Sequence, residues 1–314
     1  LEGGIMFKLM DVTLREGSYV VNNALTKSES KKLVHELNKA KIDLIEIGYL
    51  GNISRDSGVE KCDSEYIDFL TNGEILNWEG KFSVMINPEN FSQSTAEILA
   101  DRRIGMVRLT VTKNNLERVK EIVNSLSKYN IAISTNLIRV SRLGHKELNE
   151  LVNELVDTNT DIIYLADSNG AMLPEDIKKM FFSLKHLIMK KGGKQKLGFH
   201  AHNNLGMAIP NALVAIEVGC DFIDASILGY GKSSGNLSLE LLLSLMRRQN
   251  FIYKWNITKI LSLANQLTTV VRKSGFYLSQ PEGAIIGMKN MNLDEVQEIY
   301  KLKGISSLLD KENE

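Results

Sequence analysis

The chain has 314 residues, enough to bury a large core, with the apolar and charged fractions of an ordinary globular protein. Its 38 basic side chains balance 38 acidic ones without a long block of either sign, which excludes the clustered positive field that nucleic acid or an anionic membrane requires. Two cysteines, Cys62 and Cys220, stand too far apart in sequence to suggest a disulfide framework and point to a reducing cytoplasm; no apolar run is long enough to span a bilayer, and no signal-peptide pattern is present.

Leu1-Glu2-Gly3-Gly4 reads as a cloning remnant ahead of Met6 and is set aside. The first apolar run, 5–12, predicts a strand that ends in Asp11-Val12-Thr13-Leu14-Arg15-Glu16-Gly17. Thr26 or Ser28 is placed to cap a helix over 27–40, with Leu33, Val34 and Leu37 on one face. A second strand is expected over 42–48. A polar, glycine-containing stretch, 49–63, reads as a long loop that shapes a pocket, and a helix follows over 64–72.

The alternation continues. Strands are expected at 81–86, 106–111, 131–138, 161–166, 197–202 and 222–226, with helices at 92–103, 116–128, 146–158, 174–190, 207–219 and 237–248. Pro174 suits a helix's first turn. Eight strands, each followed by a helix, imply parallel β/α units with right-handed crossovers and, by count, a closed (β/α)8 barrel over 5–250. An open doubly wound sheet is the competitor, and the lack of G-x-G-x-x-G after the first strand weighs against its dinucleotide-binding form. From 251 to 314 the alternation stops. Helical patterns at 257–273 and 293–301, around a turn-rich Ser279-Gln280-Pro281-Glu282-Gly283, predict a helical extension packed on the barrel or on a partner.

Barrel chemistry gathers at the C-terminal strand ends. Arg15 and Glu16 end strand one, and Glu46 interrupts an apolar Leu44-Ile45-Glu46-Ile47-Gly48 in strand two. Asn136 and Arg139 lie near the end of strand five, and Asp167-Ser168-Asn169-Gly170 follows strand six. His200 and His202 close strand seven, on one face because strand side chains alternate, and so form a pair of neutral nitrogen donors for a divalent metal. A carboxylate with two imidazoles leaves positions open for substrate, the pattern of a catalytic metal site. Each residue also has a plainer reading. Glu46 needs a buried partner, with Arg15 the candidate; Asp167 and Ser168 fit a helix cap; Tyr230 and Lys232 read as loop surface; both cysteines read as inert.

Taken together the motifs resemble the DRE-TIM metallolyase family: the acyl-CoA/2-oxo-acid synthases, hydroxymethylglutaryl-CoA lyase and the 4-hydroxy-2-oxo-acid aldolases. Asp11–Gly17 matches its D-x-T-L-R-[D/E]-G motif, His200-Ala201-His202-Asn203 its H-x-H-N, Glu46 its second-strand glutamate, and Gly235-Asn236 the end of its glycine loop. The resemblance implies a TIM barrel with Glu16, His200, His202 and Asn236 as metal ligands. It makes Arg15 the group that holds the enolate oxygen, with Glu46 orienting it. Asn136 and Ser168 join Arg15 in binding substrate. The motif Tyr164–Met172 resembles the 4-hydroxy-2-oxovalerate aldolase branch, where the serine contacts the 2-oxo-acid carboxylate. The cysteine that hydroxymethylglutaryl-CoA lyases carry in the glycine loop is missing.

The activity implied by the resemblance is that of a metal-dependent carbon–carbon lyase, which cleaves a 4-hydroxy-2-oxo acid to pyruvate and an aldehyde through a metal-bound enolate. The implied cofactor is a divalent metal, Mn2+ ahead of Mg2+, Co2+ or Zn2+. The C-terminal helices resemble those with which the aldolases bind an aldehyde dehydrogenase, and they also suit a homo-oligomer. The competing expectations are a Claisen-type synthase joining an acyl-CoA to a 2-oxo acid, and a metal-holding barrel that acts as a partner-binding module. One departure from the branch stands out: its catalytic histidine is replaced here by Tyr19, and a phenol's unperturbed pKa of about 10 makes a poor base near neutrality.

Overall fold

Eight parallel strands hydrogen-bond in sequence order and close on themselves, β8 returning to β1. They are β1 (Lys8–Asp11), β2 (Leu44–Tyr49), β3 (Phe82–Ile86), β4 (Met106–Val111), β5 (Ala132–Ile138), β6 (Ile162–Asp167), β7 (Lys196–Ala201) and β8 (Phe222–Ala225). The computed structural model describes residues 7–20, 25–50, 62–78, 80–251, 253–277, 281–292 and 295–296. The open-sheet competitor is thereby excluded. The expected leader 1–4, most of the loop 49–63, most of the helix 293–301 and the tail 310–314 lie outside the described residues.

A short helical turn, α1 (Thr13–Gly17), follows β1. The outer ring is α2 (Lys27–Lys39), α3 (Ser64–Thr71), α4 (Gln93–Asp101), α5 (Leu116–Leu126), α6 (His145–Val156), α7 (Pro174–Lys190), α8 (Ala208–Glu217) and α9 (Leu239–Arg248). Thr26, not Ser28, caps α2: its hydroxyl accepts from Glu29 N while the Glu29 carboxylate reaches back to Thr26 N. The main core fills the space between strands and helices, with Leu33, Val34 and Leu37 of α2 fully buried there as the periodicity predicts.

The lumen is layered, because alternate strand residues point inward. The lower layer is an apolar plug that includes Met10, Leu44, Met106, Ile162, Tyr164 and Phe222. Two residues further along the same strands the inward side chains become Glu46, Arg108 and Asp224, all fully buried, and the next positions form the mouth. A cleft of about 820 Å³ lies at the opposite, N-terminal end of the barrel, lined by residues such as Lys8, Lys196 and Phe222; it is larger than the cavity at the mouth but holds none of the residues expected to do chemistry.

In the extension, α10 (Ile257–Lys273) packs against α2 and α9. A further helix, α11 (Pro281–Lys289), stands where the sequence suggested only a turn. Proline is tolerated in the first helical turn. Gly283 and Gly287, four residues apart and so on one face, let α11 approach closely: a Cβ at Gly283 would collide with Ser234, and one at Gly287 would meet Leu205 at 2.6 Å and the Gly170 carbonyl at 3.0 Å. The extension therefore sits on the barrel's own mouth. Asn290 fastens it there, bonding Ser141 Oγ (2.8 Å), Ser141 O (2.8 Å) and Asn169 Nδ2 (2.7 Å).

Candidate active site

The first motif explains itself residue by residue. The Asp11 carboxylate accepts from Thr13 N (3.1 Å) and Thr13 Oγ1 (2.7 Å), turning the chain out of β1 and into α1. Thr13 Oγ1 in turn accepts from Ile227 N at 2.8 Å, which ties the turn to the end of β8. Gly17 lies under Tyr230, whose ring would be 2.6 Å from a Cβ there. These contacts leave Arg15 and Glu16 aimed into the mouth, both buried. Tyr230 is fully buried, contrary to the surface reading. Packed between Gly17 and Phe276, it makes the floor on which the motif rests.

On β7, Phe199 and Ala201 pack outward into the core while His200 and His202 face the lumen. Glu16, His200 and His202 each offer a ligand atom, and these atoms lie within 4.8 Å of one another; His200 Nε2 is 3.6 Å from Glu16 Oε1. His200 donates through Nδ1 to Asp224 Oδ2 (3.0 Å), a tautomer that leaves the Nε2 lone pair turned to the mouth. Burial lowers the pKa of both imidazoles, helped for His202 by the charges of His200, Lys232 and Arg15, so both are neutral near pH 7.

The donor set fits a divalent metal. Three buried polar atoms at this point, His200 Nε2, His202 Nδ1 and Asn236 Oδ1, have no hydrogen-bond partner, a costly arrangement unless a ligand supplies one. Asn236 is held beside the cluster by a backbone bridge to His202. The space itself depends on Gly231, where a Cβ would stand 2.2 Å from Asn236 Nδ2 and 3.1 Å from Glu16 Cβ.

Beneath the cluster runs a buried chain of charges. Arg15 Nε donates to Glu46 Oε2 at 2.6 Å, and the Arg15 guanidinium also touches Glu16. On its other side Glu46 Oε1 lies 3.0 Å from Arg108 Nη1, and Arg108 Nη2 donates to Asp224 Oδ2 at 2.6 Å. Arg108 stacks on the Tyr164 ring, 4.2 Å from its centroid, and that ring fits only because residue 198 is glycine, where a Cβ would be 2.5 Å from it. The sequence reading supplied Arg15 and Glu46 but missed Arg108, Tyr164 and Asp224. The signal was there: Arg108 stands in Met-Val-Arg-Leu-Thr-Val and Asp224 in Phe-Ile-Asp-Ala, each a lone charge in an apolar strand, as Glu46 is.

Above this chain is a cavity of about 160 Å³. Arg15, Glu16, Tyr19, Asn136, Ser168, His200 and His202 all line it. Ser168 Oγ accepts from Arg139 N (3.0 Å). Asp167 does not cap α7; its carboxylate holds the amides of Ala171 (3.1 Å) and Met172 (3.0 Å). Asn136, with its amide turned to satisfy both neighbours, accepts from Arg108 Nη2 at 2.8 Å and donates to Ser134 Oγ at 2.8 Å, so it also braces the charge chain. The Tyr19 hydroxyl meets that of Tyr49, a partner the sequence did not suggest. Lys232, read from sequence as surface, lines the cavity. Cys62 and Cys220 are buried free thiols whose pKa burial pushes up, in keeping with inert side chains.

A family model described as HMGL-like matches residues 90–267, more than half of the chain. The chain belongs to the HMGL-like family. A 4-hydroxy-2-oxovalerate aldolase from Geobacillus genomosp. 3 is 27% identical over 263 residues, 83% of this chain and 76% of that protein. An oxaloacetate decarboxylase from Mycobacterium tuberculosis is 27% identical over 259 residues, covering 82% and 74%. In fold, the N-terminal domain of a candidate aldolase from Bacteroides vulgatus superposes with a TM-score of 0.80 at 23% identity, covering 96% of this chain and 99% of that one. The HMG-CoA lyase of Acinetobacter baumannii, solved with coenzyme A and 3-methylmalate, does so with a TM-score of 0.70 at 18% identity, covering 88% and 94%. Membership of the HMGL-like family agrees with the expected class, a metal-dependent aldolase or lyase on a TIM barrel. No helix among the described residues is long and apolar enough to cross a membrane.

Proposed function

We propose that the protein cleaves a 4-hydroxy-2-oxo acid to pyruvate and an aldehyde with the help of a divalent metal, manganese first among the candidates. The observation that carries this reading is the convergence of Glu16, His200 and His202 within 4.8 Å, beside an arginine held by a buried glutamate. Asn236 is a fourth candidate ligand through its unpartnered Oδ1. Glu16, His200, His202 and Asn236 would hold the metal, which would supply Lewis-acid polarisation of the 2-oxo acid.

The rest of the work falls to side chains. Arg15 faces the 2-oxo oxygen on which negative charge develops, and Glu46 fixes its guanidinium so that no reorganisation is needed as the charge appears. Ser168 and Asn136 line the cavity where the substrate's carboxylate end is held. Tyr19 Oη, paired with Tyr49 Oη, relays the proton of the C4 hydroxyl as the C3–C4 bond breaks, accepting it while its own phenolic proton passes to Tyr49 Oη and the Tyr49 proton passes to solvent. The former C4 leaves as the aldehyde, the electron pair stays on C3, and protonation there gives pyruvate. A dehydrogenase, or a second copy of the chain, remains the proposed partner of the C-terminal helices; exposed Leu261 on α10 supports it.

Purified protein loaded with Mn2+ is expected to release pyruvate from 4-hydroxy-2-oxovalerate and to exchange the methyl protons of pyruvate with solvent. Chelation abolishes both, and E16Q and R15M each lower the rate by about a hundredfold or more. The absence of both, with no pyruvate released from any 4-hydroxy-2-oxo acid and no methyl exchange, would refute the proposal. One observation favours a second reading, oxaloacetate decarboxylation. Tyr19 stands where the aldolases have their base, and loss of CO2 leaves the same pyruvate enolate without any hydroxyl proton to remove. Pyruvate from oxaloacetate, with none from hydroxy-oxo acids, selects that reading.

A further inference from the structure

The helix α11 lies across the loops that carry the site. Gly283 abuts Ser234 in the loop after β8 and Asn204 after β7, and Gly287, on the same face one turn later, abuts Leu205 after β7 and the Gly170 carbonyl after β6. At the helix end Asn290 reaches Ser141 in the loop after β5. Its backbone is left-handed (φ 50°), as the residue just past a helix often is, and glycine would serve that turn without any side chain.

The asparagine amide does more than end the helix. Its Oδ1 accepts from Ser141 Oγ (2.8 Å) and from Asn169 Nδ2 (2.7 Å), and its Nδ2 donates to Ser141 O (2.8 Å). One side chain thus bridges the loop after β5 to the loop after β6. Those two loops also meet at the cavity, where Ser168 Oγ accepts from Arg139 N at 3.0 Å. Arg139 stands two residues before Ser141, and Ser168 one residue before Asn169, so the Asn290 amide closes a ring around that hydrogen bond.

Resting on the proposed lyase activity, we infer that Asn290 is a positioning residue for the 2-oxo-acid subsite: by locking these two loops together it holds Ser168 Oγ at the carboxylate end of the substrate.

The Arg139 amide occupies a lone pair of Ser168 Oγ, and the hydroxyl proton is then directed to a substrate carboxylate oxygen. Loops fixed beforehand spare the substrate the cost of ordering them on binding. Asn169 is pinned from the far side as well, its carbonyl accepting from Asn204 Nδ2 at 2.9 Å. The metal donors are set by other contacts: His200 by Asp224, and Glu16 by Arg15 and the turn after β1. Asn290 therefore acts on the organic substrate and not on the metal, and because Ser168 binds substrate and transition state alike its loss shows in KM more than in kcat.

The test compares the wild type with N290G, which keeps the left-handed turn and removes the amide. Calorimetric titration of the Mn2+-loaded proteins with pyruvate, and KM and kcat for pyruvate release from 4-hydroxy-2-oxovalerate, are measured with and without S168A. N290G should raise the pyruvate Kd and the substrate KM by roughly tenfold, with a smaller change in kcat and no change in Mn2+ affinity. In the S168A background the same substitution should change the pyruvate Kd by less than about twofold, because the group it positions is gone. A purely structural role would leave the N290G effect undiminished by S168A, and that result overturns the inference, as does a folded N290G with wild-type Kd and KM. S141A, which removes one contact from the other side, should shift Kd the same way by less, and it decides the matter should N290G fail to fold. The wild type separates the two failures. If it binds pyruvate and exchanges its methyl protons while N290G does both equally well, only this inference falls; if the wild type does neither, the lyase reading falls with it.

Discussion

Two buried carboxylates on neighbouring strands meet opposite fates. Asp224 on β8 is register partner to Met10 on β1, and Asp11 is the next residue along. Both are almost completely buried. Asp224 points into the lumen, where Arg108 and His200 outweigh the desolvation and hold its carboxyl below the usual range. Asp11 meets Thr13, and its nearest charges are Glu240 and Glu46, so burial raises its pKa to about 7. Depth is the same, and the cation makes the difference. The lesson extends to the barrel as a whole. Its wall tolerates an isolated acid held by hydroxyl and amide donors, whereas the buried charges of its lumen stand in an alternating chain, Glu16–Arg15–Glu46–Arg108–Asp224–His200, that ends on a candidate metal donor at both ends.

The largest expected effect comes from cutting that chain in the middle. R108M leaves Glu46 and Asp224 buried without their shared cation and should cost about 3–5 kcal/mol in urea unfolding. Asp224 then becomes a second Asp11, tending to take up a proton. E46Q/R108M/D224N, which removes the stranded charges too, should recover part of the loss. A triple variant no more stable than R108M breaks the comparison, because the cost then lies in lost packing on Tyr164 rather than in unpaired charge.

Next in size is D224N. Arg108 keeps Glu46, so stability falls less than in R108M. The measurable loss is at the metal: an amide holds the His200 tautomer less firmly, and manganese affinity by calorimetric titration should fall by about 10–100-fold. Unchanged affinity would mean that the strand alone orients His200 and that the Asp224 contact is incidental.

How much of this could be read beforehand differs between the two kinds of information. The barrel was legible because apolar runs and amphipathic stretches alternate eight times, a local pattern. Glu16, His200, His202, Arg15 and Glu46 were legible because short motifs carry them. Arg108 belongs to no such motif, and the stretch Asp224-Ala225-Ser226 resembles the aldolase branch without giving Asp224 a role; what marks both is that a lone charge in an apolar strand demands a buried partner, as Glu46 does. Tyr49 escaped because its only signal is the Tyr19 hydroxyl 30 residues away in sequence. The helix α11 escaped because Pro281-Glu282-Gly283 has turn composition, and its glycines make sense only once Ser234 and Leu205 are seen pressed against them.

The smallest effect tests the other half of the comparison. Asp11 carries a folded-state pKa of about 7 against an ordinary value of 3.8. A raised carboxyl pKa means that the folded protein binds the proton more tightly than the unfolded chain does. Its contribution is therefore fully present below the ordinary value and is lost as pH rises through about 7. The imidazoles at the mouth, with lowered pKa values, act in the opposite sense, so the wild-type profile alone mixes the two. The difference between wild type and D11N isolates Asp11. The wild type should lose about 1 kcal/mol relative to D11N between about pH 6 and pH 8, read from urea midpoints at matched ionic strength. Asn still offers an oxygen to Thr13 N, so the turn into α1 survives the substitution. Parallel profiles for the two proteins would show that Asp11 stays ionised despite its burial. The two hydrogen bonds from Thr13 would then do for it what a guanidinium does for Asp224.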